Sequence, residues 1–551
     1  MKTLYEKIIT CNRLYLVLLP LGLIIYSNAL FGDFVFDDRA YVTEAPWIRS
    51  LWNFLDVSGV RYAGDLSFAL NYKLSGLDPF GYHLVNILIH IANSALVFKL
   101  IKALFETPFI KTNIKDREIF PFAAALATSV YFLTHPVQTQ AVSYISQRYT
   151  SLATLFYLLS LVLYLKARTG IPGGTKGRLL YAGAVLSAVL AMKSKEISFT
   201  LPFILTLVEF SFFPKGEGRG KRLLPFFLTL LIIPLSMVIP GTGAVNTVDE
   251  LMRVRKLEEA FTISRYNYLI TEPQAILVYL RLLILPVDQH FTYYFPLAES
   301  VFDPGVSGPL IAVVLFIGAS IYMFAFSIMK GNAYGSIISF GVLWFFITLS
   351  VESSVIPIRD AINEHRVYLP SAGIMLSFVT AVLYMEDSLS RGRRKILMTF
   401  LLLALAVPLS FAAYFRNELW RVPLRLYEDE VKKNPYSVSP HMYLGMKYYE
   451  IERHGEALEE FKKAEEINPK SRYVRRTLVK YYDSLGMTAE AIGEARILKG
   501  LDPGNPEPSY NLGVLYMKKG LKPEAEAEFK YILARWPDYK YAEDALKRLK
   551  R

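Results

Sequence analysis

Over about the first three quarters of the chain, long apolar runs alternate with short polar stretches; beyond residue 417 the runs shorten and become amphipathic. A membrane-crossing helix needs about 20 mostly apolar residues. Runs of that kind predict crossings at 12–31, 83–105, 119–134, 149–166, 179–193, 197–213, 223–240, 307–328, 334–350, 367–384 and 396–416. The run over 273–287 (PQAILVYLRLLILPV) is short, carries Arg281 and is bounded by prolines, so it fits an interfacial or re-entrant segment better than a crossing. In the last quarter, Pro435, Pro469, Pro503 and Pro537 recur every 34 residues, the period of tetratricopeptide helix pairs. Leu444, Gly445, Tyr448, Ala457 and Phe461 of the first unit return in the third as Leu512, Gly513, Tyr516, Ala525 and Phe529, whereas the middle unit has Val479 in place of the glycine.

The pattern therefore predicts an all-α, polytopic chain. A transmembrane bundle of about 11 spans fills 1–416, with outer loops at 32–82 and 241–306. A linker helix follows over 417–434, and about three repeats form a solenoid over 435–551. Composition agrees, with 53% hydrophobic residues and a net charge of +12. The single cysteine, Cys11, excludes an intramolecular disulfide and a cysteine-based metal cluster. Lysines preceding the first run, with no small-residue cleavage site after it, read as a retained helix rather than a removed signal.

Basic loops set the orientation. Placing Lys2, Lys7 and Arg13 in the cytoplasm also puts Lys111, Lys115 and Arg117, the Lys166–Arg178 loop, and the Lys215–Arg222 loop there. Lys330 and Arg391–Lys395 join them only if 273–287 does not cross. The repeats then lie outside, which for a bacterial chain means an inner membrane with a periplasmic C-terminal domain.

With that topology, four polar clusters fall on the outer side: Asp37, Asp38 and Arg39; His135 to Arg148; Lys193, Lys195 and Glu196; and Glu364, His365 and Arg366. His83, Asn86, His90 and Asn93 recur at intervals of three, four and three along one stripe of the second span. His90 and Asn93 lie deep and suit interhelical hydrogen bonds, while His83, at the outer end, is placed to touch substrate. Arginines and lysines just above the headgroups would hold a phosphate leaving group, and an aspartate among them could take a proton from a hydroxyl. The bland alternatives are helix capping by the aspartates and snorkelling of Arg148 and Lys195. No P-loop, dinucleotide fingerprint, HExxH or GxSxG pattern is present, which argues against a soluble nucleotide substrate.

FVFDD (34–38), the stretch from Leu66 to Phe98, HPVQTQAVSYISQRYTS, KSKE and EHRVYLPSAG, followed by the repeats, resemble the transmembrane-and-tetratricopeptide-repeat O-mannosyltransferases and their bacterial relatives, of the GT-C glycosyltransferase superfamily. The resemblance implies a GT-C-type bundle that transfers a sugar from a polyprenyl-phosphate-linked donor to Ser or Thr hydroxyls of proteins, by inverting single displacement. It implies Asp37 as general base, with Asp38 as neighbour or substitute. Arg148, Lys195 and Arg366 are favoured for the donor phosphate, with Arg39 and Lys193 beside them; His83, His135, Glu196, Glu364 and His365 complete the candidate set. No metal is required, although an ion bridging Asp37 or Asp38 to Glu364 is a conceivable addition. Gln147–Thr150 (QRYT) departs from the Gly-Arg-Ala-Asp of some relatives, which removes a carboxylate but keeps Arg148. The segment 273–287 and the aromatic run Phe291–Pro296 could line a groove for the prenyl chain. The repeats would bind the acceptor or a partner protein. Two competing readings are a transferase acting on a lipid-linked or surface glycan, and a non-catalytic membrane scaffold for a secretion or export complex. No nucleic-acid partner is indicated.

Overall fold

The computed structural model describes residues 14–114, 119–170, 174–216, 218–238, 264–354, 356–358, 360–389 and 395–549. Lys2, Lys7, Arg13, Lys115, Arg117 and Arg391–Arg394, which carried part of the orientation argument, lie outside these residues, as does 241–263 of the second expected outer loop.

Every regular element among the described residues is helical. Among the described residues, five helices are long and apolar enough to cross a membrane: Pro79–Phe105, Ile145–Thr169, Pro304–Met329, Glu364–Met385 and Met398–Arg421. A sixth is added if Ile119–Thr134 and Pro136–Ser143, bent by 53° at their break, form one span. Tyr15–Ile25 and Ala333–Leu349 are apolar but shorter. Of the eleven expected crossings, five or six thus meet this length and composition, and prolines explain two of the shorter segments. The 197–213 run opens as a 3-10 turn, Glu196–Thr200, before Leu201–Phe212 with Pro202 in its first turn. The 223–240 run is divided into Arg219–Leu228, a 3-10 turn at Thr229–Leu231, and Ile232–Val238. Pro225 and Pro234 each remove an N–H from the helical ladder there.

The polar stripe of Pro79–Phe105 ties the centre of the bundle together. Asn86 donates to the carbonyls of Val142 and Ile145. His90 sits between the Tyr368 hydroxyl (2.7 Å) and the Leu133 carbonyl (3.1 Å), and Asn93 donates to the Ser151 carbonyl and the Tyr368 hydroxyl. One helix is thereby bonded to three others, where no water competes for the bonds. Ala333–Leu349 and Tyr368–Leu389 approach closely through Gly341 and Gly373; a Cβ on either would lie 2.3 Å from the other's carbonyl oxygen. By contrast, Pro304–Met329 and Met398–Arg421 are largely uncovered, with 22% and 17% of their most apolar stretches buried. These are the faces a bilayer would cover.

The loops converge on one end of the bundle. Ala63 N donates to the Lys193 carbonyl, Ser146 N to Asp38, and His365 N to Gln140. Arg265–Ile284, which contains most of the weak apolar run, meets this end along its length. The Tyr268 hydroxyl donates to the Glu352 carbonyl, the Tyr279 hydroxyl accepts from Asn363 N, and the Leu283 carbonyl lies 3.3 Å from His135 Nε2.

The chain divides into two compact units, Met1–Pro423 and Leu424–Arg551. In the second, helices begin 34 residues apart at Val438, Arg472, Pro506 and Lys540, and their partners at His454, Thr488 and Lys522 keep the same step. Gly445 and Gly513 lie under Phe461 and Phe529, where a Cβ would meet the ring at 2.6 Å. The middle unit exchanges both members of the pair, with Val479 and Ala495 at the equivalent positions in the same core. The missing glycine is matched by a missing aromatic ring, so volume is conserved.

Candidate functional site

FVFDD folds into a tight turn. Asp38 N donates to the Val35 carbonyl (2.9 Å), and Val35 N donates to Asp38 Oδ2 (3.0 Å). Phe36 takes a positive φ of 47°, an uncommon conformation for a bulky residue that needs support from its surroundings. That support is a stack on Phe291, with ring centroids 3.5 Å apart, and an edge contact with Tyr144. Trp420 packs against both Tyr144 and Phe291.

The turn separates the two aspartates. Asp38 is wholly buried and spends its carboxylate on backbone donors, Val35 N and Ser146 N (2.6 Å). Asp37 is exposed, and its N–H is held by the Tyr144 hydroxyl at 3.1 Å. Of the pair, therefore, Asp38 clamps the turn to the segment before Arg148, and Asp37 presents its side chain outward.

Burial pushes the Asp38 carboxyl up to about 7, the hydrogen bonds from Val35 and Ser146 only partly offsetting it. Asp65, half-buried and hydrogen-bonded to the Tyr149 hydroxyl, is likewise raised by desolvation, to about 6. Because both folded values lie above the usual carboxylate value, the folded chain holds protons that the unfolded chain releases. Their contribution to stability is fully present below about pH 4 and is lost as pH rises through about 6 to 7. We expect the thermal midpoint of the purified protein to fall between about pH 5 and 8, with a shallower slope in Asp38→Asn; an unchanged slope in the variant would refute this assignment.

The basic candidates sort by how their donors are used. Arg148 is fully buried: Nε donates to Asn86 Oδ1 (2.6 Å), Nη1 to the Ser67 carbonyl, and Nη2 to Asn71 Oδ1 and the Tyr82 carbonyl (both 2.9 Å). Its guanidinium also lies 4.5 Å from the Phe68 ring centroid. Lys193 gives its ammonium to the carbonyls of Ser58 and Gly59 and to Ser236 Oγ, which uses all three donors. These two cations brace the fold: carbonyls, amides and a hydroxyl claim all three N–H groups of Lys193 and four of the five of Arg148. Lys195 donates to Thr150 Oγ1 (2.9 Å) and Glu352 Oε1 (2.7 Å), so one donor remains. Arg366 reaches the Tyr268 hydroxyl and the carbonyls of Ala361 and Asp360, leaving two of five. Arg39 is exposed at the turn.

The remaining candidates hold the loops. Glu364 accepts from Gln289 Nε2 (2.7 Å), His290 N (3.0 Å) and the Tyr293 hydroxyl (2.8 Å), and so anchors the segment that carries Phe291 beneath Phe36. An ion bridging Glu364 to Asp38 would have to displace these bonds. Among the described residues, no three His, Cys, Asp or Glu side chains are grouped to hold a metal. His365 is half-buried on Gln140 Oε1. His83, expected to touch substrate, is buried with Nε2 3.2 Å from the Gly32 carbonyl, because the chain leaving the first helix folds over it. His135 accepts from Val137 N at the bend between two helices. Glu196 pairs with Arg61, whose Nε and Nη2 each lie 3.3 Å from a carboxylate oxygen; burial alone would raise this carboxyl, but Arg61 draws it below the usual range.

Sequence reading missed Arg61 and Asp65. Arg61 and Glu196 are 135 positions apart, and no local period marks such a pair. The cations nonetheless cluster: Lys195, Arg366 and Arg61 all act electrostatically on His365, and Arg61 and Asp37 both act on Tyr41.

No protein-family model matches the chain. It is similar to the Caenorhabditis elegans protein O-mannosyl-transferase F38B6.6, 27% identical over 457 residues, covering 79% of this chain and 59% of that protein. A Xenopus laevis protein O-mannosyl-transferase, tmtc2, is 37% identical over 162 residues, covering 26% of this chain and 18% of that one. Human TMTC2, likewise named a protein O-mannosyl-transferase, is 33% identical over 201 residues, covering 33% and 22%. The chain thus spans less than two thirds of the length of these curated relatives. All three are animal proteins, so they give no support to the bacterial origin and inner-membrane location expected above. The chain is a multi-helix, apolar relative of proteins named as O-mannosyl-transferases.

Proposed function

We propose that this chain is a multi-pass membrane glycosyltransferase of GT-C type that moves a sugar from a polyprenyl-phosphate-linked donor to Ser or Thr hydroxyls of proteins. The observation that carries the reading is the division of labour in the acidic pair. Asp38 is consumed by backbone donors, while Asp37 stands exposed at the loop-bearing end where Lys195, Arg366 and Arg61 also gather. Names of the relatives favour mannose as the sugar.

In this reading Asp37 accepts the proton of the acceptor hydroxyl as its oxygen attacks the anomeric carbon, and the bond to the lipid phosphate breaks. Lys195 and Arg366, which keep uncommitted donors, stabilise the phosphate as negative charge builds on it; Arg39 and Arg61 add to the field. The apolar Arg265–Ile284 helix, lying along the same end, offers a wall for the prenyl chain. The repeats bind the acceptor or a partner protein.

The test is a transfer assay. Full-length protein in membranes is supplied with polyprenyl-phosphate-linked mannose, and candidate acceptor proteins are weighed intact. A hexose-sized increment that depends on the chain supports the reading. Acceptor masses that stay unchanged while lipid-linked or surface glycans change would favour the glycan-directed transferase instead.

A further inference from the structure

The second unit builds one cationic clamp twice, with different chemistry each time. In the second repeat, buried Arg475 donates from Nε and Nη2 to the Pro469 carbonyl, at 3.2 and 3.1 Å, and from Nη1 to Glu494 Oε2 at 2.6 Å. Glu465 also accepts from Nη1. One repeat earlier, His441 takes the same place with an imidazole. It is buried, with Nε2 3.0 Å from the Pro435 carbonyl and Nδ1 2.6 Å from Glu460 Oε2. Cation, proline and glutamate each have their counterpart 34 residues away. Each clamp ties the turn that enters a repeat to the second helix of that repeat. In the third repeat Ser509 stands at the cation's position, and Glu528 bonds Lys499 instead.

The exchange of guanidinium for imidazole has a chemical consequence. A carbonyl only accepts, and the Glu460 carboxylate does the same when ionised. Burial would raise the Glu460 carboxyl, but the hydrogen bonds from His441 and Lys463 hold it below the usual range. Two acceptors need two donors, and imidazole supplies two only when protonated. Once neutral, it turns a lone pair toward one of the two oxygens and loses that bond. Arginine keeps its charge and its donors throughout the physiological range, whereas histidine ordinarily changes charge between about pH 5 and 8.

The charged groups around His441 come from four helices. His454–Ile467 supplies Glu460, with Lys463 bonded to it and Glu459 beyond, and His454 at its start lies against Tyr449. Pro423–Lys433 supplies Glu428, which accepts from the Tyr448 hydroxyl, and Glu430, which accepts from Asn434. On Val438–Glu450 itself Lys447 pairs with Glu450, and Arg472–Ser484 brings Arg475. Of these residue types only histidine ordinarily titrates near neutrality.

We propose that His441 is a pH-sensitive clamp at the entrance to the repeats, closed while the imidazole is charged and loosened as pH rises. It governs the joint between Pro423–Lys433 and the first helix pair, and Arg475 holds the next joint at any physiological pH. The inference concerns the second unit alone and does not depend on the transferase reading.

Hydrogen exchange of the full chain in detergent micelles tests it, because the two joints carry matching reporters. Ser437 N donates to the Asn434 carbonyl and Ser471 N to the Asn468 carbonyl, one repeat apart. Exchange in 434–443 is divided by exchange in 468–477, which cancels the base dependence common to both. A lost bond to a charged group predicts that the ratio rises by about 10- to 100-fold from about pH 5 to pH 8. His441→Arg should abolish the rise, and His441→Gln should give the high ratio at both ends of the range. A ratio that stays flat in the native chain overturns the proposal. So does a rise that persists in His441→Arg, which would assign it to His454 or another group, and so does a low ratio in His441→Gln at acid pH.

Discussion

Asp37→Asn is expected to lower the rate of sugar transfer by about 100- to 10,000-fold, the usual contribution of a positioned general base, while the protein still accumulates in membranes. The substitution is nearly isosteric, and the side chain it alters is exposed. The anchoring N–H to the Tyr144 hydroxyl belongs to the backbone and is unaffected. Asp38→Ala should behave in the opposite way. It strips acceptors from the N–H groups of Val35 and Ser146, and buried donors left unpaired cost about 1–3 kcal/mol each. Its signature is a lower thermal midpoint, with residual activity in proportion to the folded fraction. Rates and melting curves measured on both variants separate base from clamp. If Asp37→Asn transfers sugar at the native rate, Asp37 is not the base.

Arg148→Met should unfold or strongly destabilise the protein, by about 3–5 kcal/mol, rather than weaken donor binding selectively. Four acceptors from two segments converge on this guanidinium: Ser67 and Asn71 on Tyr62–Ser75, and Tyr82 and Asn86 on Pro79–Phe105, all joined to the start of Arg148–Thr169. Removing it strands acceptors at about 1–3 kcal/mol each, with partial relaxation limiting the sum. Arg148→Lys should recover little, because a point ammonium cannot meet acceptors spread around a planar fork. Membrane accumulation and thermal midpoint are the measurements. A well-folded Arg148→Met protein with weakened affinity for polyprenyl phosphate would restore the phosphate-binding role to this residue. Lys195→Met and Arg366→Met provide the contrast, since their uncommitted donors predict a loss of phosphate affinity beyond any loss of stability.

The acidic pair shows how far a sequence can be read. Two adjacent aspartates at the exit of the first apolar run mark a place of interest, but their chemical difference comes from one positive φ at Phe36. That value turns Asp38 inward onto Ser146 and Asp37 outward. The φ itself depends on Phe291, and the segment carrying Phe291 depends on Glu364. No local pattern links positions 36, 291 and 364. Arg148 makes the same point in reverse: by type and location it suited a phosphate site, and only its surroundings show the donors already taken.

What the sequence determined by itself is what periodicity and composition control. Apolar runs mark the helices of an apolar bundle, the bounding prolines and Arg281 mark a segment that meets one end of it, and a 34-residue step places the helix pairs of the second unit. These are local properties, set by turns of helix and by residues that break them. Tertiary structure decided which polar residues are spent and which are left to act. A donor or acceptor is committed only when a partner reaches it, and several of the deciding partners come from 60 or more positions away, as with Arg148 and Asn86 at 62, Lys195 and Glu352 at 157, and Glu364 and Gln289 at 75.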